Sequence, residues 1–151
     1  MTVSERLAEL GITLPEVAAP VAAYVPAVRT GDLVYTAGQL PFVDGTLPRT
    51  GKVGADLTVA EAAPLARQCA LNALAAAAGL VGLDRITRVV KVVGFVASAE
   101  GFTQQSAVIN GASELFVEIF GDAGRHARSA VGVAELPLGT PVEVEITVEV
   151  S

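Results

Sequence analysis

The sequence predicts an α+β fold in which two helices pack on one face of a single mixed sheet. Three observations lead to this prediction. Segments typical of strands and helices follow one another in the order β-β-α-β-α-β-β. The first long helical segment is rich in alanine, so it can lie close to a sheet. One predicted strand is apolar on both faces. Helices and strands that follow each other in this way commonly form two packed layers.

The N-terminal part of the chain predicts a short helix and a β-hairpin. Thr2 and Glu5 have the spacing of a capping box, and Gly11 is the predicted stop of a helix over residues 2–10. A connector with two prolines follows at residues 12–24. Two short strands are then predicted around the turn residues Thr30-Gly31-Asp32, at 25–29 and 33–39.

The middle of the chain begins with the irregular stretch 41–56, and long loops of this kind often border functional sites. Thr58 and Glu61 form a second capping box, which predicts a helix that runs to Ala78 and stops at Gly79. The stripe of this helix that faces the sheet is narrow and small-sided, and it consists of Ala62, Leu65, Ala66, Cys69, Ala73 and Ala76.

The second half of the chain predicts three strands and one helix. Strands are predicted at residues 86–97 and 129–134, on either side of a helix at 102–120 in which Gly111 is a candidate interruption. Residues 142–150 alternate strictly between apolar and polar, with Glu143, Glu145 and Glu149 among the polar set, which is typical of a strand with one buried face.

The third strand, with the sequence Val89-Val90-Lys91-Val92-Val93, is apolar on both faces, so the sheet face that lacks helices is predicted to be partly buried as well. Burial against other copies of the same sheet would satisfy this requirement. The simplest closed arrangement is a ring of sheets with the helices outside, and we therefore expect a homotrimer.

The composition narrows the classes of protein to consider. A chain of 151 residues favours one domain. Hydrophobic residues make up 52% of the chain, but no run of about 18 apolar residues occurs, so no membrane segment is predicted. A subunit interface is therefore the natural place to bury the surplus of apolar residues. The net charge of −6 and the lack of Lys/Arg clusters disfavour nucleic acid as a partner. The N-terminus lacks the pattern of a signal peptide, so a cytoplasmic location is expected.

Most catalytic motifs are missing from the sequence. His126 is the single histidine, so no multi-histidine metal site is predicted, and no phosphate or dinucleotide motif indicates a cofactor. Cys69 lies on the apolar helix stripe and is interpreted as a small buried hydrophobe. His126 is interpreted as a surface or cap residue.

Arg128 stands at the start of an apolar strand and has two interpretations. Its planar fork could bind a ligand carboxylate through two hydrogen bonds. From the residues alone, an internal ion pair with a strand glutamate is favoured, because buried arginines are usually paired within the protein. The glutamates of the last strand would otherwise form its solvated face.

Several segments, in order and over nearly the whole chain, resemble the reactive intermediate deaminase family, also called RidA/YjgF. They are Ala23–Val28 with Tyr24 before the first strand, Tyr35–Pro41 with Gly38-Gln39, Gln68–Asn72, Asn110 in the second long helix, Arg128–Pro137 with the pattern Arg-Ser-x-Val-x-Val-x-x-Leu-Pro, and Glu143. The segment Gly124–Ala127 resembles a less characterised subgroup.

The resemblance implies a chorismate-mutase-like α+β sandwich, assembled as a trimer of sheets. Residues 1–151 are expected to form one domain, in which the short N-terminal helix is an extension relative to the shortest members of the family. It also implies hydrolysis of enamines and imines to 2-keto acids and ammonia in clefts between subunits, without a cofactor. The expected partners are small carboxylate-bearing metabolites.

The resemblance further assigns roles to individual residues. Arg128 is expected to bind the substrate carboxylate, while Glu143 and the carbonyl of Ala130 hold the attacking water. The cleft would be shaped by Tyr24, Ala37, Gly38 and Asn110. Many members have Cys at the position of Ala130, which changes the pocket shape but leaves a carbonyl in place. A non-catalytic binder of small carboxylates is the alternative, and the L-PSP-type endoribonuclease activity attached to some relatives is disfavoured by the acidic composition.

Overall fold

The computed structural model describes residues 1–17 and 22–151, so part of the predicted connector, residues 18–21, lies outside the described residues. The described chain contains three α-helices and five strands, whose bounds are α1 Val3–Glu9, β1 Ala27–Thr30, β2 Leu33–Thr36, α2 Val59–Val81, β3 Ile86–Ala97, α3 Gln105–Phe120, β4 Ala127–Val133 and β5 Val142–Val150. Short 3-10 turns lie at Leu83–Arg85, Gly121–Gly124 and Pro137–Gly139. The predicted order of elements is confirmed.

The five strands form one sheet in the order β1-β2-β5-β3-β4. Only β3 and β4 run parallel, and the other neighbours are antiparallel. The hairpin β1–β2 closes through a two-residue turn, because Thr30 lies opposite Leu33 and Gly31 takes a φ of +57° that favours glycine. The C-terminal strand occupies the centre of the sheet, and β1 and β4 are its two edges within the described residues.

Helices α2 and α3 cover one face of the sheet, as the sequence predicts. The apolar side chains of β5 at positions 142, 144, 146, 148 and 150 are all buried on this side. Every residue of the predicted α2 stripe is buried, and the buried surface is wider than predicted, because it also takes in Ala70, Leu74, Ala75 and Ala77. Small side chains allow α2 to lie close to the sheet and to α3.

Gly111 does not interrupt α3, which runs unbroken from Gln105 to Phe120. A β-carbon at Gly111 would lie 2.8 Å from the carbonyl carbon of Ala63 in α2. The glycine therefore allows α2 and α3 to approach closely and does not break either helix.

Five predicted boundaries are wrong by two or three residues. Strand β1 begins two residues later than predicted, at Ala27, and β2 ends three residues earlier, at Thr36. Helix α2 continues through Gly79 and ends at Gly82, whose φ of +91° stops the helix. Helix α3 begins three residues later than predicted, because Phe102 sits in a turn with its amide bonded to the Ala99 carbonyl at 3.0 Å. Strand β4 begins two residues earlier than predicted, where Ala127 pairs with Lys91 of β3.

The second face of the sheet carries no helix and keeps apolar side chains in contact with solvent in the single chain. Val28, Tyr35 and Val131 are each between 44% and 54% exposed, and Val93 and Phe95 of β3 are half-buried. Isolated apolar side chains on a surface are common, but these side chains lie on four strands of one face. No helix within the described residues is long and apolar enough to cross a bilayer.

Candidate functional site

Arg128 lies on the edge strand β4, beside Val92 of β3, and points to the side of the sheet that the helices cover. Its Nη1 group donates to Asn110 Oδ1 at 2.7 Å and to Ser113 Oγ at 3.2 Å, both on α3. Asn110 and Ser113 are one helical turn apart, so they present two neighbouring acceptors to the same nitrogen.

The guanidinium of Arg128 has no carboxylate partner in residues 1–17 and 22–151. None of the six ion pairs found there includes Arg128, so the internal ion pair with a strand glutamate is absent among these residues. Its Nε and Nη2 groups make no hydrogen bond to a described residue. These two nitrogens form the side edge of the fork, which matches the two oxygens of a carboxylate.

His126 is connected to Arg128 through Ser113, a contact that its interpretation as a surface or cap residue did not include. Its Nδ1 lies 2.6 Å from the Gly124 carbonyl oxygen, and its Nε2 lies 2.8 Å from Ser113 Oγ. The ring meets Phe116 edge to face, with centroids 6.0 Å apart. Burial lowers the pKa of His126, and the charge of Arg128 adds to this against the opposing effect of the Gly124 bond, so the ring is neutral at neutral pH.

Glu143 lies in β5 on the opposite, helix-free face, directly beside Gly38. A β-carbon at Gly38 would overlap the Glu143 carboxylate and would stand 2.9 Å from its Cδ. Burial raises the pKa of Glu143 above its usual value, and the nearby charge of Glu145 acts in the same direction. Both glutamates are half-buried, so only Glu149 lies on a solvated surface as first interpreted.

The segment that carries Gly38 is fixed by backbone and side-chain contacts. Gln39 pairs with Val144 of β5 through N–O distances of 2.8 and 3.0 Å. From α2, Asn72 Nδ2 donates to the carbonyl oxygens of Leu40 and Phe42 at 2.9 and 3.1 Å. The asparagine that the sequence singled out in α2 therefore positions the backbone next to Glu143.

The Ala37 amide donates to the Pro26 carbonyl at 2.8 Å, which joins the stretch before β1 to the Gly38 segment. Tyr24 belongs to this stretch and is 54% exposed. The predicted site residues thus fall into two groups. The arginine group comprises Arg128, Asn110 and Ala130, and the glutamate group comprises Glu143, Gly38, Ala37 and Tyr24.

A single chain does not bring the two groups together. Arg128 is level with Val92 on the helix side, whereas Glu143 pairs with Phe95 on the open face. Two strand spacings and three residues along the sheet separate their backbone positions by roughly 14 Å. Tyr24 precedes β1, the edge strand opposite β4, and these two edges are four strand spacings, or about 19 Å, apart.

Other reactive groups contribute nothing to this site. Burial raises the pKa of the Cys69 thiol well above its usual value, and the Glu143 charge adds to the effect, so Cys69 stays protonated. In the part of the chain that the structure describes, no cluster of three or more His, Cys, Asp or Glu side chains could hold a metal ion.

Known proteins are similar to this chain in sequence and in fold. The model of the family described as "YjgF/chorismate mutase-like, putative endoribonuclease" matches residues 4–150. The chain belongs to the YjgF/RidA family. It is 48% identical over 151 residues to Protein TCP17 of Trypanosoma cruzi, a match that covers 99% of this chain and 94% of that protein.

Solved structures of similar proteins share the fold. The structure of Atu1372 from Agrobacterium tumefaciens is 46% identical, with a TM-score of 0.90, and the match covers 99% of this chain and 92% of that one. E. coli TdcF, solved with bound serine, is 25% identical with a TM-score of 0.65 over 92% of this chain and 96% of its own. The chorismate-mutase-like α+β fold that the sequence predicts is confirmed, and the similarity to TCP17 agrees with a less characterised subgroup of the family.

The sequence did not assign a role to two residues of the network around Arg128, namely Ser113 and His126. The available signal for Ser113 was its position one turn after Asn110 on the same helix face. His126 gave no comparable signal, because one of its partners is the backbone carbonyl of Gly124 and the other, Ser113, lies 13 residues away on a different element.

Proposed function

We propose that this protein hydrolyses reactive imines, and the enamines that tautomerise to them, to 2-keto acids and ammonia. The observation that carries the proposal is the set of hydrogen bonds that the Arg128 guanidinium makes and leaves unmade. Its Nη1 end is held by the neutral groups of Asn110 and Ser113, while the Nε–Nη2 edge has no protein carboxylate among the described residues. A fixed guanidinium with an unpaired edge is suited to a substrate carboxylate.

We propose that the site forms between copies in a homotrimer. One copy would supply the arginine group and its neighbour the glutamate group, because the two lie on opposite faces of one sheet. The exposed apolar side chains of the open face provide the surface that such a trimer would bury. The substrate would be a small carboxylate-bearing metabolite.

The proposed reaction adds water to the imine carbon. Oxygen bonds to that carbon as the carbon–nitrogen π electrons move to nitrogen, and the resulting carbinolamine collapses to the 2-keto acid with release of ammonia. Binding of the carboxylate at Arg128 would orient the imine, and the water would lie between Glu143 and the Ala130 carbonyl. Imines hydrolyse readily, so orientation and electrostatics can provide the acceleration without a cofactor.

Glu143 is suited to move the protons of this reaction. Its raised pKa lies closer to neutral pH than that of a solvated carboxyl, which favours exchange of a proton with the attacking water and with the departing nitrogen. Gly38 allows the carboxylate to lie against the backbone of the preceding segment, where it is shielded from solvent on one side.

The proposal is tested by forming a 2-imino acid in place with an amino-acid oxidase and following the rate at which 2-keto acid and ammonia appear. The wild-type protein should accelerate this step. Arg128→Ala should abolish the acceleration, and Arg128→Lys should lose most of it, because lysine keeps the charge but lacks the planar fork. Arg125→Ala is the matched control, since Arg125 is exposed and pairs with Asp122 at 3.3 Å.

A second candidate is a trimeric carboxylate binder without turnover, which the bound serine in the related TdcF structure favours. Saturable, Arg128-dependent binding of 2-ketobutanoate with no acceleration of imine hydrolysis would select it. The family description also names an endoribonuclease activity. The net charge of −6 disfavours a phosphate-rich substrate, so that activity would need RNA cleavage that depends on Arg128.

A further inference from the structure

Ser113 connects Arg128 to His126 by hydrogen bonds whose directions are fixed. The Gly124 carbonyl can only accept, so His126 Nδ1 carries the proton and donates to it at 2.6 Å. In the neutral ring Nε2 is then an acceptor, and the Ser113 hydroxyl donates a hydrogen bond to it at 2.8 Å. The Ser113 oxygen in turn accepts from Arg128 Nη1 at 3.2 Å.

We propose that Ser113 and His126 are positioning residues for Arg128, holding its Nη1 end so that the Nε–Nη2 edge faces the ligand carboxylate. This inference rests on the proposed function of Arg128 as the carboxylate clamp. One acceptor, Asn110, would leave the guanidinium free to pivot about a single bond. A second acceptor on the same nitrogen fixes the plane of the fork, so less freedom is lost when the carboxylate binds.

The contact between His126 and Ser113 depends on the neutral ring. Protonation would turn Nε2 from an acceptor into a donor, so the Ser113 hydroxyl would have to accept from both sides and would lose the acceptor for its own proton. Loss of this acceptor loosens the clamp, so carboxylate binding should weaken when the pH falls far enough to protonate His126.

Several elements surround the ring, and their charged groups are few. From β4, the positive charge of Arg128 lowers the pKa of His126. On the preceding turn, Asp122 and Arg125 pair with each other. Helix α3 presents Ser113 and Phe116 to the ring, and the neighbouring Glu114 is exposed. Strand β3 places Lys91 beside Ala127, the residue after the histidine.

The first test measures the affinity for 2-ketobutanoate by calorimetry. At pH 8, Ser113→Ala should bind about five-fold more weakly, as for the loss of one hydrogen bond, and Ser113→Thr should restore binding to within about two-fold because it keeps the hydroxyl. The control Ser106→Ala, at an exposed serine of the same helix, should bind like the wild type. An unchanged affinity in Ser113→Ala would overturn the role of Ser113.

The role of His126 is tested by the pH dependence of that affinity. His126→Gln places an acceptor near Ser113 that does not titrate, so its affinity should match the wild type at pH 8 and lose the decline that the wild type shows as the pH falls below 6.5. Protonation of Glu143, which the variant retains, removes a negative charge from the site, so it should not weaken the binding of an anion. An identical pH profile in wild type and His126→Gln would overturn the role of His126.

A measurement without ligand separates this inference from the proposed function. Nitrogen NMR of the unliganded protein reports the tautomer of His126 and the rate of rotation of the Arg128 guanidinium. We expect the Nδ1–H tautomer and a slow rotation that Ser113→Ala accelerates several-fold. If 2-keto acids fail to bind to the wild type, the proposed function is wrong. The rotation rate of the Arg128 guanidinium still tests whether Ser113 positions that group. Equal rotation rates in wild type and Ser113→Ala would overturn the positioning even if imine hydrolysis is established.

Discussion

The Glu143 carboxylate lies so close to the α-carbon of Gly38 that a side chain at position 38 would overlap it. Gly38 has an ordinary backbone conformation, so the glycine is required by space and not by its torsion angles. The position of Glu143 is therefore set by a residue of a different segment, which Gln39 and Asn72 hold in place.

Gly38→Ala should displace the Glu143 side chain and lower the free energy of unfolding by about 1–3 kcal/mol, the usual cost of an overpacked site. Imine hydrolysis should fall with it. The double variant Gly38→Ala/Glu143→Ala removes the overlap and should regain most of the lost stability, which chemical denaturation can measure. Additive losses in the double variant would show that the two residues do not conflict.

Glu143→Gln should raise the melting temperature at pH 7. Because the folded-state pKa of Glu143 lies above its usual value of 4.5, stability falls as the pH rises from 4.5 through that raised value, and the loss is complete above it. Glutamine avoids the loss, so the advantage of the variant should disappear below pH 4.5. Glu149→Gln, at an exposed position of the same strand, is the control and should show no such pH-dependent gain.

Arg128→Ala should separate binding from stability. Removal of the clamp should weaken 2-ketobutanoate binding by about 2–5 kcal/mol, as for the truncation of one partner of a charge pair. The free energy of unfolding should change by no more than about 1–2 kcal/mol, because Arg128 makes its hydrogen bonds within the protein to the neutral groups of Asn110 and Ser113. Thermal melts and titrations of the same preparation check both values, and a large loss of stability with intact binding would contradict the clamp.

Two inactive variants should complement each other. Light scattering should first give about three times the 15.4 kDa chain mass, since a closed ring of three copies is expected. In mixed trimers of Arg128→Ala and Glu143→Gln, one copy can supply an intact arginine group and the next an intact glutamate group. Random assembly should restore about one quarter of the sites. Co-refolded mixtures that remain inactive would indicate that each site is built from one chain.

Cys69→Ala should leave hydrolysis and ligand binding unchanged and lower the free energy of unfolding by about 1 kcal/mol, because it opens a small cavity. The thiol is fully buried and its pKa is raised, so it should not react with thiol reagents until the protein is denatured. Loss of turnover in the folded variant would assign Cys69 a chemical role.

The elements that the sequence predicts best are those with strong local signals. The alternation of residues 142–150 gives β5 with its observed bounds, and the two capping boxes begin α1 and α2 where predicted. Ends without such a signal moved by two or three residues. Gly79 lies inside a helix because tertiary packing tolerates a helical glycine, whereas Gly82 with its positive φ ends it.

The sequence by itself determined the order of the elements, the helix-covered face of the sheet, and the resemblance to the YjgF/RidA family. These follow from periodicity and from motifs, which are local in the chain. Only the tertiary structure decided that Arg128 faces two neutral acceptors rather than a glutamate, and that Glu143 lies on the opposite face beside Gly38. Such relations depend on strand order and register, which bring distant segments together and which no local pattern contains.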